Sequence, residues 1–303
     1  MNDDALSHLL PTYRAYAQLT DAERIQWIRH DRWVSYPRAD YVLGRLADLL
    51  TYPPRDRMPC LLVCGATGMG KTRIVQKFVR DHRASGDGVQ GLTRVPVAYV
   101  QMPPTPSERH FYEELLSAFG AYIPLGAGAS GLRQRGRVVA RELDVRMLVI
   151  DEIHAMLAGT FREQRIFLNT LRFLANDLRI PLVCLGTDEA KRALMTDQQL
   201  ADRFEARELP PWTEDAAFQS LLASFAAILP LRHASPLHEP KCLKRLLGLS
   251  EGITIRVCRV LETAAIHAIE SGRERIDLEL LTDELANASL VSIKDRQSRH
   301  PQT

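Results

Sequence analysis

The sequence lacks most of the features that mark secreted and membrane proteins. Only five of its 303 residues are cysteine, an odd number without framework spacing, so we expect free thiols in a reducing cytoplasm. Cys60, Cys64 and Cys184 fall in or beside apolar runs, which favours buried thiols over a metal site. The acidic start "MNDDALSHLL" does not resemble a secretory signal. No apolar run approaches the roughly 18 residues that span a bilayer, so we expect a cytoplasmic protein without membrane contact.

A strong excess of charge of one sign is also absent. The 39 Lys and Arg residues nearly balance the 37 Asp and Glu residues, which gives a formal net charge of +2. We therefore expect no long-range positive field, and any DNA contact must come from a local patch. The hydrophobic fraction of 46% is ordinary for a soluble globular protein and is enough for a sizeable core.

A glycine-rich motif joins a predicted strand to a predicted helix. The stretch "VCGATGMGKTRIV", residues 63–75, fits G-x-x-x-x-G-K-[ST], a loop that cradles nucleotide phosphates. The apolar run "CLLVC" precedes it and helical spacing follows it, so a bound anion would lie at a helix N-terminus. Lys71 is expected to reach the β and γ phosphates, and the Thr72 hydroxyl to bind Mg²⁺. The residues expected to contact the nucleotide are Gly65, Ala66, Thr67, Gly68, Met69, Gly70, Lys71, Thr72 and Arg73.

Strand and helix patterns alternate through the middle of the chain and then stop. Apolar runs at 60–64, 95–102, 147–150 and 180–186 predict four strands separated by helices. This alternation predicts an α/β fold, in which a parallel sheet is flanked by helices and the ligand lies at the carboxyl ends of the strands. After "ELPPW" only helical patterns follow, which predicts an all-helical second domain.

These changes of pattern divide the chain into four expected parts. Their boundaries rest on the proline-rich stretches "YPPRDRMP" and "ELPPW" and on the polar end of the chain. The parts are a helical extension and linker at 1–57, a phosphate-binding core at 58–211, a helical domain at 212–291 and a disordered tail at 292–303.

Two carboxylates mark the end of the third predicted strand. The stretch "MLVIDEIH" places Asp151 at the strand end and Glu152 directly after it. Asp151 is predicted to order the water shell of Mg²⁺, and Glu152 to polarise the water that attacks the γ-phosphate. The pair therefore predicts hydrolysis of the nucleotide. His154 completes the letters of a DExH helicase, but such an enzyme needs a second sheet, so we interpret His154 as a helix-start residue.

Thr187 follows the fourth predicted strand, in "CLGTDEA". A polar side chain beside the carboxylate strand can hold the attacking water or sense the γ-phosphate, which makes Thr187 a candidate catalytic residue. The same residue type also caps helices. The residues alone leave both roles open.

The order of these motifs resembles that of AAA+ ATPases. The loop, "LVIDE", "LGT" and "QQLADRFEARELP" follow one another as they do in that superfamily. Within it the chain is similar to the transposition ATPases of the TniB, TnsC and MuB type, and most to TniB, over residues 20–290 or so. The stretches "RIQWIRHDRWVSYPRADYVLGRLADLL" and "DRMPCLLVCGATGMGKT" look like TniB in particular. The resemblance implies an AAA+ P-loop fold with a C-terminal helical lid domain, ATP as the nucleotide, and ATP hydrolysis.

The resemblance also assigns roles to two arginines. Arg203, in "DRFEARE", matches the arginine finger, a catalytic group that reaches the γ-phosphate of a neighbouring subunit. Arg256, in "GITIRVCRVLETA", matches the nucleotide-sensing arginine of the lid, with Arg259 as a rival one helical turn later. Adenine lies between the N-terminal linker and the lid in AAA+ proteins, so "RWVSYPRAD" is the stretch expected to pack on the base.

A role in DNA transposition is what the resemblance implies for the whole protein. ATP would drive assembly of a homo-oligomer on double-stranded target DNA, as a ring or a helical filament, and hydrolysis would dissolve it. The assembly would recruit or activate a partner transposase and is expected to meet a target-selection adaptor protein. The acidic triad of a transposase cannot be assembled from this chain, so DNA cleavage is expected to belong to the partner.

Two stretches between the second and third predicted strands are candidates for DNA contact, as the matching region faces DNA in TnsC-like relatives. "MPPTPSERH" carries Thr105, Ser107 and Arg109, and "GASGLRQRGR" carries Arg133, Arg135 and Arg137. Hydroxyls and arginines hold phosphates without reading bases. The alternative, that these arginines only solvate a helix, stays open.

Two other functions fit the ATPase motifs. A loader or initiator ATPase of DNA replication would carry nearly the same residues. A P-loop kinase for a small metabolite would need a substrate-binding lid within the α/β region instead of an appended helical domain. Stimulation of strand transfer by a partner transposase would favour the role in transposition, and phosphorylation of a small acceptor would favour the kinase.

Overall fold

The computed structural model describes residues 6–83, 85–86 and 93–290, so the predicted disordered tail at 292–303 lies outside the described residues. The chain divides into two compact units, Tyr41–Pro210 and the combination of Met1–Asp40 with Pro211–Thr303. This division differs from the expected one, which kept residues 1–57 apart. The first forty residues belong instead with the C-terminal helices.

A five-stranded parallel sheet forms the centre of the unit Tyr41–Pro210. Its strands are β1 (Cys60–Cys64), β2 (Val97–Gln101), β3 (Met147–Asp151), β4 (Leu182–Gly186) and β5 (Phe204–Glu208), in the spatial order β2-β3-β4-β1-β5. All neighbouring pairs run parallel, so the carboxyl ends of the strands lie at one edge. Strands β1, β3 and β4 are buried at every residue, as expected when helices cover both faces of a sheet.

Strand β5 was not predicted from the sequence pattern. Its residues, "FEARE", are only partly buried or exposed, because β5 lies at the edge of the sheet and pairs with β1 alone. Arg45 Nη2 donates to Glu205 Oε2 at 2.7 Å, and the Arg207 guanidinium lies 4.9 Å from the centre of the Tyr41 ring. Charged side chains of this kind are common on edge strands, where they discourage pairing with other chains.

Helices make up most of the rest of the described chain. Several begin where the sequence provides a cap: the Ser107 hydroxyl accepts from His110 N–H at the start of the helix after β2. The α-helices are α1 (Pro11–Ala17), α2 (Asp21–Arg29), α3 (Pro37–Leu50), α4 (Lys71–Asp81), α5 (Glu108–Ala118), α6 (Ala129–Glu142), α7 (Phe161–Leu178), α8 (Asp188–Leu194), α9 (Gln198–Ala201), α10 (Ala216–Ile228), α11 (Pro240–Ser250), α12 (Thr254–Glu270) and α13 (Asp283–Leu290).

The core of the sheet unit is apolar and includes the cysteines. Cys60, Cys64 and Cys184 are buried free thiols, as predicted. Burial raises the pKa of Cys64, the residue before the glycine-rich loop, to about 11, so this thiol is neutral at pH 7. Between helices α5 and α7, the rings of Phe111 and Phe167 meet edge to face at 5.4 Å, and such a pair contributes about 1 kcal/mol beyond the burial of the two rings.

The helical unit joins the first helices to the last ones. Helix α2 packs against α12, and the fully buried Arg24 forms two 2.7 Å hydrogen bonds with the two carboxylate oxygens of Glu274. Trp212 Nε1 donates to Thr254 Oγ1 at 2.9 Å in the same unit. Among the described helices, none has the length and apolar character that crossing a membrane requires.

Candidate active site

The glycine-rich loop leaves β1 at Gly65 and enters α4 at Gly70. Gly65 has φ +145°, and a Cβ there would lie 2.5 Å from the carbonyl oxygen of Leu209, so a side chain cannot fit. Gly70 is left-handed, with φ +91°, at the N-cap position of α4. Because glycine has no side chain with which to cap the helix, the amides of the first turn stay available to an anion. The outer part of the loop, Ala66 and Thr67, is exposed.

Lys71 is the cation of this loop. Its side chain is buried, and Nζ donates to the carbonyl oxygens of Gly65 at 2.7 Å and Ala66 at 2.9 Å. Burial lowers the pKa of the Lys71 ammonium, and the carboxylates of Glu152 and Asp151 offset part of that effect. The charge is thus fixed inside the loop by two backbone carbonyl oxygens, and its contact with a phosphate stays a prediction.

The other predicted loop residues differ in their surroundings. Gly68 is left-handed, with φ +84°. Met69 is buried, and its backbone N–H lies 3.4 Å from the carbonyl oxygen of Ala66. Arg73 is exposed on the first turn of α4. Nucleotide contact by each of these residues stays a prediction.

Asp151 is buried at the end of β3 and accepts three hydrogen bonds. Its Oδ2 accepts from Thr72 Oγ1 at 2.8 Å and from Tyr99 OH at 2.6 Å, and its Oδ1 accepts from the Glu152 N–H at 2.7 Å. The Thr72 hydroxyl and the Asp151 carboxylate therefore lie side by side at the base of the loop. Two hard oxygen donors beside a phosphate-binding loop suit Mg²⁺, which takes few protein ligands and completes its shell with water and phosphate oxygens.

Tyr99 is a residue of this site that sequence analysis missed. It lies in β2, next to β3, and its hydroxyl donates to Asp151 Oδ2. Burial, together with the hydrogen bond to Asp151, raises the pKa of Tyr99 above its ordinary value, so the phenol keeps its proton and remains a donor. In the sequence Tyr99 is one residue of the predicted strand "VPVAYVQM", and nothing in that pattern distinguishes it from the core residues beside it.

Glu152 follows Asp151 in an unusual backbone conformation. It is left-handed, with φ +55° and ψ +36°, a state that is uncommon for residues other than glycine and that concentrates at functional sites. The Glu152 side chain is 44% exposed, and Oε2 lies 3.1 Å from His154 Nε2. The predicted general base is therefore accessible to water and lies next to the buried Asp151, the predicted magnesium ligand.

Thr187 lies at the same edge of the sheet, because β4 pairs in parallel with β3. It occupies the N-cap position of α8, but its hydroxyl makes no capping bond and donates instead to Glu189 Oε2 at 2.9 Å. The capping alternative is thus wrong for the side chain. A role toward water or the γ-phosphate stays a prediction.

Arg203 lies near the amino-terminal end of β1, whereas the loop follows the carboxyl end of that strand. Its carbonyl oxygen accepts from the N–H of Cys60, the first residue of β1, at 2.9 Å. Its Nη1 is buried and has no hydrogen-bond partner among the described residues. The predicted arginine finger is therefore remote from the loop of its own chain.

The predicted lid arginine lies in the helical unit. Arg256 is in the first turn of α12, and its Nη1 lies 2.6 Å from Glu251 Oε2. Its rival Arg259 is exposed. Of the residues expected to pack on adenine, Tyr36 is buried, and its ring meets Trp212 edge to face at 5.5 Å. The choice between the two arginines stays open.

The two predicted DNA-contact stretches meet at one place in the sheet unit. Arg133 Nη1, on α6, lies 3.3 Å from Oε1 of Glu108, the residue between Ser107 and Arg109. Arg109 Nε pairs with Glu113 Oε1 at 2.9 Å, half exposed. Thr105 and Arg135 are exposed. The structure thus brings the two stretches together, and DNA contact by their side chains stays a prediction.

Comparison with known proteins decides the family. The model of the family described as "Bacterial TniB protein" matches residues 24–214, which include the loop, both carboxylates and Arg203. The chain belongs to the TniB family. This match confirms the resemblance to TniB that the sequence motifs indicated. No curated protein sequence matches the chain at a significant level.

Solved structures confirm the fold of this TniB-family protein. The Aeropyrum pernix ORC2 protein, in complexes with ADPNP and ADP, has a TM-score of 0.58 at 18% identity and covers 89% of this chain and 73% of its own. The Aeropyrum pernix ORC1 protein, in complex with DNA, has a TM-score of 0.58 at 19% identity, with coverage of 87% and 68%. Cdc6p from Pyrobaculum aerophilum has a TM-score of 0.56 at 18% identity, with coverage of 99% and 75%. The chain has the AAA+ P-loop fold, with a parallel sheet flanked by helices and a helical C-terminal region.

Proposed function

We propose that this TniB-family protein is an ATP-hydrolysing regulator of DNA transposition. The observation that carries the proposal is the convergence of Lys71, Thr72, Asp151 and Glu152 at the carboxyl edge of one sheet, in a chain of that family. The complexes of the ORC2 protein with ADPNP and ADP support adenine nucleotide as the ligand of this fold.

Each residue of the site has a distinct part in hydrolysis. The amides at the start of α4 and the Lys71 ammonium bind the phosphates. Thr72 and Asp151 would hold Mg²⁺, which supplies positive charge to the β and γ phosphate oxygens when bound. Glu152 accepts a proton from the attacking water as the water oxygen bonds to the γ-phosphorus, and the bond to ADP breaks. The products are ADP and inorganic phosphate.

The Tyr99 hydroxyl restrains the carboxylate of Asp151, the proposed metal ligand. Its hydroxyl occupies one lone pair of Asp151 Oδ2 at 2.6 Å, and the Glu152 N–H occupies one of Oδ1 at 2.7 Å. These two donors fix the plane of the carboxylate before any ligand binds. Such preorganisation keeps a ligand group within the narrow geometry that catalysis needs.

The position of Arg203 supports hydrolysis between subunits. It lies beside the first residue of β1, whereas the loop follows the last. An arginine finger in that position would complete the site of a neighbouring copy, so turnover would depend on assembly. If subunits assemble in the ATP state and separate after hydrolysis, the rate of hydrolysis would determine how long the homo-oligomer persists.

The proposed assembly lies on double-stranded target DNA and recruits or activates a partner transposase, with an adaptor protein selecting the target. Membership of the TniB family supports transposition, and the DNA complex of the ORC1 protein supports DNA as a ligand of this fold. A replication loader or initiator is the second candidate, because the similar structures include ORC and Cdc6 proteins. Likeness at such low identity shows the fold alone, so family membership favours transposition.

Strand transfer by the partner transposase tests the proposal. Wild-type protein with ATP should stimulate joining of transposon ends to target DNA, and Glu152→Gln should bind ATP, hydrolyse it at least about a hundredfold more slowly and remain longer on DNA. Wild-type turnover in Glu152→Gln would remove Glu152 from the mechanism. Stimulation of helicase loading at an origin, without any effect on strand transfer, would favour the second candidate.

A further inference from the structure

His154 contacts the general base proposed above. Glu152 is linked to Asp151 through its own N–H, which fixes its backbone, but its carboxylate extends from that anchor with 44% of the side chain exposed. The polar contact that the structure shows for this carboxylate is with His154, where Nε2 lies 3.1 Å from Oε2. The separation is within hydrogen-bond distance, and the contact is an ion pair when the imidazole is protonated.

A short 3₁₀ helix brings His154 back over Glu152. This helix spans Ile153–Ala158, and the Ala155 N–H donates to the Glu152 carbonyl oxygen at 2.8 Å, which closes the first turn. The left-handed backbone of Glu152 starts the turn. Two side chains separated by one residue do not face each other on a regular α-helix, so the contact depends on this local backbone geometry.

Packing holds the backbone that carries His154. Ile153 is fully buried, and a Cβ placed on Gly186, the last residue of β4, would lie 2.7 Å from its Cγ2 atom. The same Cβ would lie 3.7 Å from the His154 backbone nitrogen. The segment that carries His154 therefore lies directly against the end of β4, where it has little freedom to move.

The two nitrogens of the ring differ in their surroundings. His154 Nδ1 is buried and has no hydrogen-bond partner among the described residues. Here the polar interaction that the structure gives the ring is with Glu152.

We propose that His154 is a positioning residue that holds the Glu152 carboxylate for catalysis. Nε2–H donates to Oε2, which leaves Oε1 to accept the proton of the attacking water. The inference rests on the proposed ATP hydrolysis, and it replaces the interpretation of His154 as a helix-start residue. A flexible, half-exposed carboxylate without this restraint would spend less time in the orientation that takes the proton.

Substitution of His154 tests this role against a structural one. Steady-state ATP hydrolysis is measured with target DNA present, on the full chain. His154→Ala should lower kcat on the order of tenfold, with KM for ATP within about twofold of wild type, because binding does not involve the ring. His154→Gln, whose amide nitrogen reaches the place of Nε2, should recover part of kcat. His154→Asn is the matched control, since its amide nitrogen reaches only the place of Nδ1, and it should resemble His154→Ala.

A double substitution separates this inference from the proposed function. Without the carboxylate there is nothing to position, so His154→Ala should cause no further loss in a Glu152→Gln background. An unchanged or raised kcat in His154→Ala, equal rates in the Gln and Asn variants, or an additional loss in the double variant would overturn the inference. If Glu152→Gln hydrolyses ATP at the wild-type rate, Glu152 is not the general base and the inference is overturned with that step, whereas wild-type protein that hydrolyses no ATP would contradict the proposed function itself. Binding of a non-hydrolysable ATP analogue confirms that each variant is folded at its site.

Discussion

Arg203 and Lys71 lie at opposite ends of β1. The Arg203 carbonyl oxygen accepts from Cys60, the first residue of the strand, while Lys71 Nζ donates to Gly65, which follows its last residue. Five residues of extended chain separate these ends by about 16 Å, more than a guanidinium can reach. If Arg203 acts on a nucleotide, it acts on one bound to another copy.

Mixing two inactive variants tests this geometry. Arg203→Ala alone and Lys71→Ala alone should each lose ATPase activity, and a mixture should regain part of it, because a hybrid interface pairs an intact loop with an intact arginine. Activity is measured across mixing ratios, with hybrid assembly shown by differently tagged copies. Absence of recovery in proven hybrids would mean that Arg203 has no catalytic part.

Substitution of Lys71 should weaken the binding of ATP. Lys71→Ala removes the buried ammonium of the loop and should weaken ATP binding by about tenfold or more, equal to at least about 1.4 kcal/mol. Lys77→Ala is the control, since Lys77 belongs to the same helix but pairs with Asp81 one turn later. Binding of a fluorescent ATP analogue measures both. Affinity within about twofold of wild type for Lys71→Ala would exclude the loop as the phosphate site.

The sequence predicts those features of the site that repeat a local pattern. The loop, the strands β1 to β4 and the Asp151–Glu152 pair are short contiguous signals, because each depends on neighbours in the chain. Tyr99 could not be found in this way, since its role depends on lying in β2 beside Asp151 of β3. Strand β5 was missed because an edge strand does not need the apolar run by which buried strands are recognised.

The two-unit organisation shows the same limit at a larger scale. Arg24 is one of many charged letters in "DAERIQWIRH", and a charge in such a segment normally faces solvent. In the structure it is fully buried because Glu274, far away in sequence, provides a bidentate partner. A pairing between distant segments of a single sequence leaves no local pattern, so the grouping of residues 1–40 with the C-terminal helices could not be predicted.

DNA binding should depend on the patch formed by the two stretches that meet at Arg133 and Glu108. Arg133→Ala with Arg135→Ala should weaken DNA binding and reduce the slope of log K against log salt by about one for each phosphate that is no longer neutralised, while ATP binding persists. Arg29→Ala with Lys244→Ala removes the same charge from exposed positions of the helical unit and should leave the slope unchanged. An unchanged slope in the first pair would exclude α6 as the DNA face and make Arg109 the next residue to test.

The buried pair between Arg24 and Glu274 predicts how the stability of the helical unit depends on pH. Arg232 also contacts Glu274, with Nη1 at 3.2 Å from Oε1 and its backbone N–H at 3.3 Å from Oε2. Burial alone would raise the pKa of Glu274, but the hydrogen bonds from Arg24 and Arg232 outweigh it and leave the pKa below its ordinary value. A lowered carboxyl pKa adds stability above the unfolded pKa of about 4.3, and that stability is lost as the pH falls through the lower folded value.

Glu274→Gln should therefore destabilise the helical unit by about 1–3 kcal/mol at pH 7, because it leaves the exposed Asp21, 2.7 Å from Nη2, as the carboxylate partner of the buried Arg24. The difference from wild type should shrink below about pH 4, where the wild-type carboxylate also takes up a proton. All three tryptophans, Trp27, Trp33 and Trp212, belong to this unit, so their fluorescence during urea unfolding reports on it selectively. Glu279→Gln is the control, since Glu279 is 81% exposed in its pair with Arg273, and exposed pairs contribute at most about 1 kcal/mol. A difference that stays constant or grows toward acid would show that the charge of Glu274 is not what stabilises this unit.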